Sequence, residues 1–179
     1  RSALTAYGEA LALTPKEANP ADWAKIQNDI GQAQQTLGSR LTDMAMLNES
    51  VASFEQAMTV RTEAAAPSDW AVGQNNLGNV LFTIGRRNAD IPTLEKSVAA
   101  FDAALTVFKP DSDPVRWATT QSNRASAQLG LADAIYASTE DVQVRAVQSG
   151  ATDVETLPEV IEARARAVDI LTGSVAALE

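Results

Sequence analysis

Catalysis needs reactive side chains, and this chain lacks most of them. It contains neither His nor Cys. Thiol nucleophiles, disulfides, His- or Cys-held metals and Ser-His-Asp triads are therefore out of reach. Acid–base chemistry would fall to carboxylates, Lys and Tyr. The carboxylates Asp22, Asp29, Asp43 and Asp69 show no pairing pattern beyond positions suited to helix starts. No Gly-rich phosphate loop of the form G-x-x-x-x-G-K-[ST] is present. The expectation is a chain with no enzyme activity, no metal and no cofactor. Recognition is left to amides, hydroxyls and a few exposed apolar groups.

Charge narrows the partners. The chain has 179 residues with 14 Lys+Arg against 23 Asp+Glu, a formal net charge of −9. Nonspecific affinity for nucleic acid comes mostly from Lys and Arg neutralising phosphates, so a nucleic-acid partner is not expected. No apolar run approaches the roughly 18–20 residues of a membrane span, and no membrane partner is expected. The apolar fraction is 45% and the charged fraction 21%, values that suit a folded domain. The chain opens on Arg1-Ser2-Ala3, which reads as a piece of a longer protein, with the cytoplasm as the expected compartment. Asn48-Glu49-Ser50 matches a glycosylation acceptor, a pattern short enough to arise often by chance.

What must position any recognition groups is a repeat. The three Trp, Trp23, Trp70 and Trp117, are spaced 47 residues apart. The same shift relates Pro20, Pro67 and Pro114, and Gln27, Gln74 and Gln121. Tyr7 maps to Phe54 and Phe101, Ala10 to Ala57 and Ala104, and Gly31 to Gly78. Several residue types agreeing on one offset without a gap point to a repeat architecture.

Each unit reads as two helices. Proline at position 20, 67 or 114 suits a first helical turn, where its missing N–H would lack a partner anyway. Asn19 and Asp113 stand where a cap is wanted. Trp23, Ile26, Ile30, Ala33 and Leu37 then fall at spacings of three and four, as do Trp70, Leu77, Val80 and Ile84. Gly38 and Gly85 offer helix stops. Second helices carry Leu47, Val51, Phe54 and Met58, then Leu94, Val98, Phe101 and Leu105, with Asp90 as a cap. Residues 1–19 match a second helix alone, so the units run as a half unit 1–19, then 20–66, 67–113 and 114–179. The last departs from the pattern. Arg124 stands where Ile30 and Leu77 do, and residues 138–156 are expected to be irregular, with at most a short helix near 140–148. A final helix is expected from about 157 to 178.

The order of Gly in the first helix and an aromatic followed three residues later by Ala in the second (Phe54/Ala57, Phe101/Ala104) resembles the tetratricopeptide repeat. The string Asp-Trp-Ala-x-x-Gln-Asn at 22–28, with its counterpart at 69–75, resembles a long-unit variant seen in bacterial multi-domain proteins. The usual unit has about 34 residues, against 47 here. The resemblance implies an all-α fold, a right-handed α-solenoid of antiparallel helix hairpins forming one domain over 1–179. It also places a concave face on the first helices. That face would carry Asn28, Asn75 and Ser122, with Asp29, Asn76 and Asn123 beside them. One turn on come Gln32, Asn79 and Ser126, then Gln35, Phe82 and Leu129.

Such a ladder of amides can pair with a peptide backbone, since amides both donate and accept. It can equally bridge adjacent first helices. The only basic candidate for holding a carboxylate beside these Asn is Lys25, replaced by Val72 and Thr119 in later units, so a carboxylate clamp is disfavoured. Arg40, Arg86 and Arg87 follow the first helices and suit the negative end of a helix dipole. The expected function is a protein-interaction or scaffold module that takes a peptide or partner domain on Asn28, Gln32, Asn75, Asn76, Asn79, Phe82, Ser122 and Asn123. The alternative is a structural segment of a larger bacterial signalling or effector protein. That segment would act as a spacer, a sensor or a self-associating piece, forming homo-oligomers through Leu4, Tyr7 and Leu11 of the N-terminal half unit.

Overall fold

A computed structural model describes residues 2–176. Among these residues the chain is all-α: α1 (Ser2–Ala12), α2 (Pro20–Leu41), α3 (Met44–Met58), α4 (Pro67–Asn88), α5 (Ile91–Val107), α6 (Pro114–Gln148) and α7 (Pro158–Ala176). Pro20, Pro67 and Pro114 each open their helix, as their fixed φ and missing donor dictate. Asp113 caps α6 by accepting from the Arg116 N–H, whereas the Asn19 side chain makes no capping bond.

The turn after each first helix is built differently from its expected form. Gly38 and Gly85 do not stop α2 and α4, which run on to Leu41 and Asn88. The stop is made one turn later by Thr42 and Ala89, both in the left-handed region at φ 58° and 50°. Asp43 then caps α3, its carboxylate accepting from the Met46 N–H at 3.0 Å. Asp90 opens α5 with its carboxylate on the Thr93 hydroxyl. The glycines serve close approach instead. A Cβ on Gly38 would lie 3.0 Å from the Leu47 side chain, and one on Gly85 2.8 Å from Leu94.

The same logic repeats two turns earlier. A Cβ on Gly31 would meet the Phe54 ring at 2.8 Å, and one on Gly78 the Phe101 ring at 2.7 Å. Both rings are fully buried. The pairings 31 with 54 and 38 with 47 run in opposite senses, so α2 and α3 lie antiparallel, and α4 and α5 do the same. The missing side chains also open the helix carbonyls. Ser50 donates its hydroxyl to the Gly31 carbonyl at 2.7 Å, and Ser97 to that of Gly78 at 2.8 Å. A buried hydroxyl without such an acceptor would cost about 1–3 kcal/mol. Ser50 of the glycosylation pattern is thus a buried packing residue.

Successive pairs join through a second set of contacts. Met44, Val51, Val80 and Ile84 share a core with Leu47 and Phe54. Trp70 and Trp117 pack with Ala71, Ala104 and Phe108, where the ends of α4, α5 and α6 meet. All three indoles are half-buried. Trp23 instead carries the Lys16 ammonium 4.7 Å over its ring.

The third unit corrects the sequence expectation most. Residues 138–148 are helical and continue α6; the irregular segment is only 149–157. One period after Gly85, Ala89 and Asp90 stand Ala132, Tyr136 and Ala137, so both the close approach and the capping carboxylate are gone. Nothing ends the helix until Ser149 and Gly150, the latter at φ 95°. α7 then returns along α6. Val160 and Ala167 are buried, and Ala167 shares a core with Leu94, Leu131 and Ile135. Arg166 pairs with Glu95 of α5, and Arg164 with Glu155. At the position of Ile30 and Leu77, Arg124 is accommodated by an ion pair to Asp102 of α5.

Candidate functional site

The face formed by α2, α4 and α6 divides into two halves of different character. At the N-terminal half, amides face one another. Asn76 donates to the Asn28 side-chain carbonyl at 3.2 Å. Asn123 donates to that of Asn75 at 3.2 Å, and the buried Thr120 hydroxyl donates to the same oxygen at 3.3 Å. These bonds bridge α2 to α4 and α4 to α6, which brings Asn28, Asn75, Asn76 and Asn123 together as cross-helix ties. Ser122 is exposed nearby, and its backbone carbonyl accepts from the Ser126 hydroxyl. Gln32 is exposed and Asn79 half-buried one turn on. Gln121 is buried, while Gln27 and Gln74 are half-buried.

The other half opens. Between α4 and α6 lies a groove of about 580 Å³, inside the roughly 300–1,000 Å³ span of ligand clefts. Phe82 and Arg86 form one wall; Leu129, Gly130, Asp133 and Ala134 form the other, with Leu94 of α5 at the base. The Phe82 ring reaches across to Gly130, where an added Cβ would stand 2.9 Å from Cε2. The Arg86 guanidinium lies 5.6 Å over the same ring. Leu129 is 53% exposed on the lip, with Tyr136 also exposed further along α6. A second, smaller recess lies on the far side of Phe82, walled by Thr83, Arg86 and Arg87.

Of the residues that the sequence places on this face, Phe82, Ser126 and Leu129 line the groove. Gly130, Asp133 and Ala134 were not anticipated. Their signal is present in the period: positions 83, 87 and 90 hold Thr, Arg and Asp, and one unit later become Gly130, Ala134 and Ala137. All three smaller residues line the groove. Arg40, Arg86 and Arg87 lie within the last turns of α2 and α4 and do not follow them. Arg87 donates to the Ser39 carbonyl in the last turn of α2 at 2.8 Å, answering a helix end on the neighbouring unit.

The N-terminal helix is less open than its sequence suggests. Leu4, Tyr7 and Leu11 are half-buried on α1, which packs against α2. Larger exposure falls at the other end of the chain, on Val144, Val147, Ile161 and Val168. Among the described residues no helix is long and apolar enough to cross a membrane, and no three acidic side chains converge as a metal site would require. No family model, curated protein or solved structure matches this chain.

Proposed function

We propose that this chain is a non-catalytic protein-interaction module, a right-handed solenoid of tetratricopeptide-like hairpins whose first-helix face receives a peptide or partner domain. The observation that carries the reading is the open groove between α4 and α6, with Leu129 exposed beside the half-buried Phe82. The antiparallel α2–α3 and α4–α5 pairs, placed side by side through the Asn ties, support the stacked arrangement. Those ties also move the binding region. Asn28, Asn75, Asn76 and Asn123 hold the first helices to one another, and contact with a partner falls to Gln32, Asn79, Phe82, Ser122 and the groove beyond. A peptide array probed with the native chain and with Leu129→Asp tests this. Leu129 is exposed enough for the change to leave folding intact, so binding lost in the variant supports the groove. Binding that ignores Leu129→Asp and Phe82→Ala alike refutes it.

A second reading, self-association, is favoured by the exposed Val144, Val147, Ile161 and Val168. Sedimentation of the native chain against a Val144→Lys, Ile161→Lys variant decides it: a mass that is monomeric for both at high concentration removes this reading.

A further inference from the structure

Resting on the interaction reading above, we propose that the α4–α6 groove takes a basic side chain, an arginine or lysine carried on an apolar stretch of the partner. The molecule contains its own template for this contact. In the preceding crevice, between α2 and α4, Arg87 crosses from α4 and donates from Nη2 to the Ser39 carbonyl at 2.8 Å. Ser39 stands in the last turn of α2, which ends at Leu41. Carbonyls there have no partner inside their helix and form the negative end of its dipole, so a guanidinium answers both needs. One period later Ser39 becomes Arg86 and Arg87 becomes Ala134. α4 ends at Asn88, so the Arg86 carbonyl holds the same place in its last turn. Ala134 has no group to donate.

The space left is the groove itself. It is made where Arg87 is replaced by Ala134 and where Thr83 and Asp90 are replaced by Gly130 and Ala137. Asp133 stands exposed on its α6 wall as an anion for an incoming cation. The Arg86 side chain reaches across to α6, its Cγ 3.5 Å and Cδ 3.8 Å from where a Gly130 Cβ would be, and its guanidinium lies over the Phe82 ring at the edge of the groove. It therefore seals the Phe82 end while its carbonyl stays at the helix terminus. Leu129 and Leu94 offer apolar contact to the residues beside the basic one. The net charge of −9 favours approach of a cation over an anion.

The test uses the full chain and three synthetic pentapeptides, Ac-Ala-Leu-Xaa-Leu-Ala-amide, with Arg, Glu or norleucine at the centre, titrated by amide NMR. The Arg peptide should move the Gly130 and Asp133 signals and bind about tenfold more tightly than the Glu peptide. Asp133→Asn should weaken the Arg peptide several-fold without altering the fold. Ala134→Arg should abolish its binding by restoring the donor that Arg87 provides one unit earlier, with the thermal midpoint held or raised. A Glu peptide that binds as well as the Arg peptide overturns the basic ligand while leaving the interaction reading intact. Shifts that survive both Asp133→Asn and Ala134→Arg overturn it too. No shift from any of the three peptides overturns the groove as the binding place and, unlike the first result, also counts against the interaction reading.

Discussion

Gly78→Ala is the substitution that separates packing from helix propensity most cleanly. On propensity alone, Ala in a helix interior gains about 1 kcal/mol over Gly. On packing, the new methyl would lie 2.7, 2.8 and 2.9 Å from three carbons of Phe101, inside the 3.4–4 Å of ordinary contact. The ring is fully buried and has nowhere to retreat. Overpacking of this kind costs about 1–3 kcal/mol, and three ring atoms at once put it at the upper end. The net expectation is destabilisation by about 1–2 kcal/mol, a fall in thermal midpoint of roughly 2–8 °C for a chain of this size. Phe101→Leu alone should cost about 1–2 kcal/mol, since it removes the ring edge but keeps an apolar side chain. Together they should cost no more than Phe101→Leu by itself, because the added methyl occupies the vacated space. Urea denaturation followed by circular dichroism gives each corner of the cycle. Gly8→Ala, on an exposed helical glycine with nothing within 4 Å of its added Cβ, should stabilise and thereby confirm the propensity figure. Single-mutant costs that simply add, within about 0.5 kcal/mol, would refute the claim that Gly78 exists to admit the Phe101 ring.

Other outcomes follow from the same contacts. Ala89→Gly should raise the thermal midpoint by about 2–4 °C by releasing a left-handed residue, and Thr42→Gly should gain more because Thr is β-branched; an unchanged or lower midpoint for both would contradict the capping role. Asn75→Ala should cost about 1–3 kcal/mol, since the Asn123 amide and the buried Thr120 hydroxyl lose their shared acceptor, whereas Asn79→Ala should stay within about 0.5 kcal/mol; equal melting of the two variants would sink the distinction. Trp117→Ala should cost about 2–3 kcal/mol, below the value for a fully buried indole, as read by chemical denaturation. The Arg164 guanidinium hydrogen-bonded to Glu155 holds its carboxyl below the ordinary range, with burial opposing and Gln143 assisting. A folded-state value below the unfolded one means this contribution is present above the unfolded value and fades as pH falls through the folded one. Glu155→Gln should therefore flatten the acid side of a midpoint-against-pH curve, and an unaltered acid limb would count against the Glu155 latch.

Much of the helical organisation was legible because packing writes itself into residue types at fixed spacing. Gly31 and Gly78, Phe54 and Phe101, and the three opening prolines each admit few substitutes, so the 47-residue period survives in them. The helix ends were read less well. Thr42 and Ala89 make left-handed turns without glycine, a conformation their residue types give no reason to expect. The face was legible in placement but not in use. For Asn28 and Asn75 the sequence leaves both uses open, a ligand or a bridge between first helices, because the choice depends on the distance between adjacent first helices, which sequence spacing does not contain. The burial of the indoles is likewise not written in their spacing: they lie half-buried because they sit at the ends of helices, where one side of the ring meets solvent.

The last unit shows how a groove can arise by subtraction. Each first helix presents the same positions to its predecessor, and in α4 those positions carry Thr83 and Arg87, with Arg87 bound across the crevice. In α6 they carry Gly130 and Ala134, and the equivalent crevice is open. The same stretch of sequence that loses these side chains also loses the stop at Ala132, Tyr136 and Ala137, so α6 runs on to Gln148. α7 consequently returns from a more distant turn and covers Leu131 and Ile135 from the opposite side, leaving Leu129 and Asp133 uncovered. Opening and elongation therefore share one cause, the departure of residues 130–137 from the period. Restoring the turn and restoring the crevice are separable operations. Ala137→Asp with Tyr136→Gly would supply the missing cap and left-handed residue while leaving Ala134 in place. The groove should persist in that variant even where the helix shortens, narrowed only at the end that Ala137 lines, because Gly130 and Ala134 are unchanged.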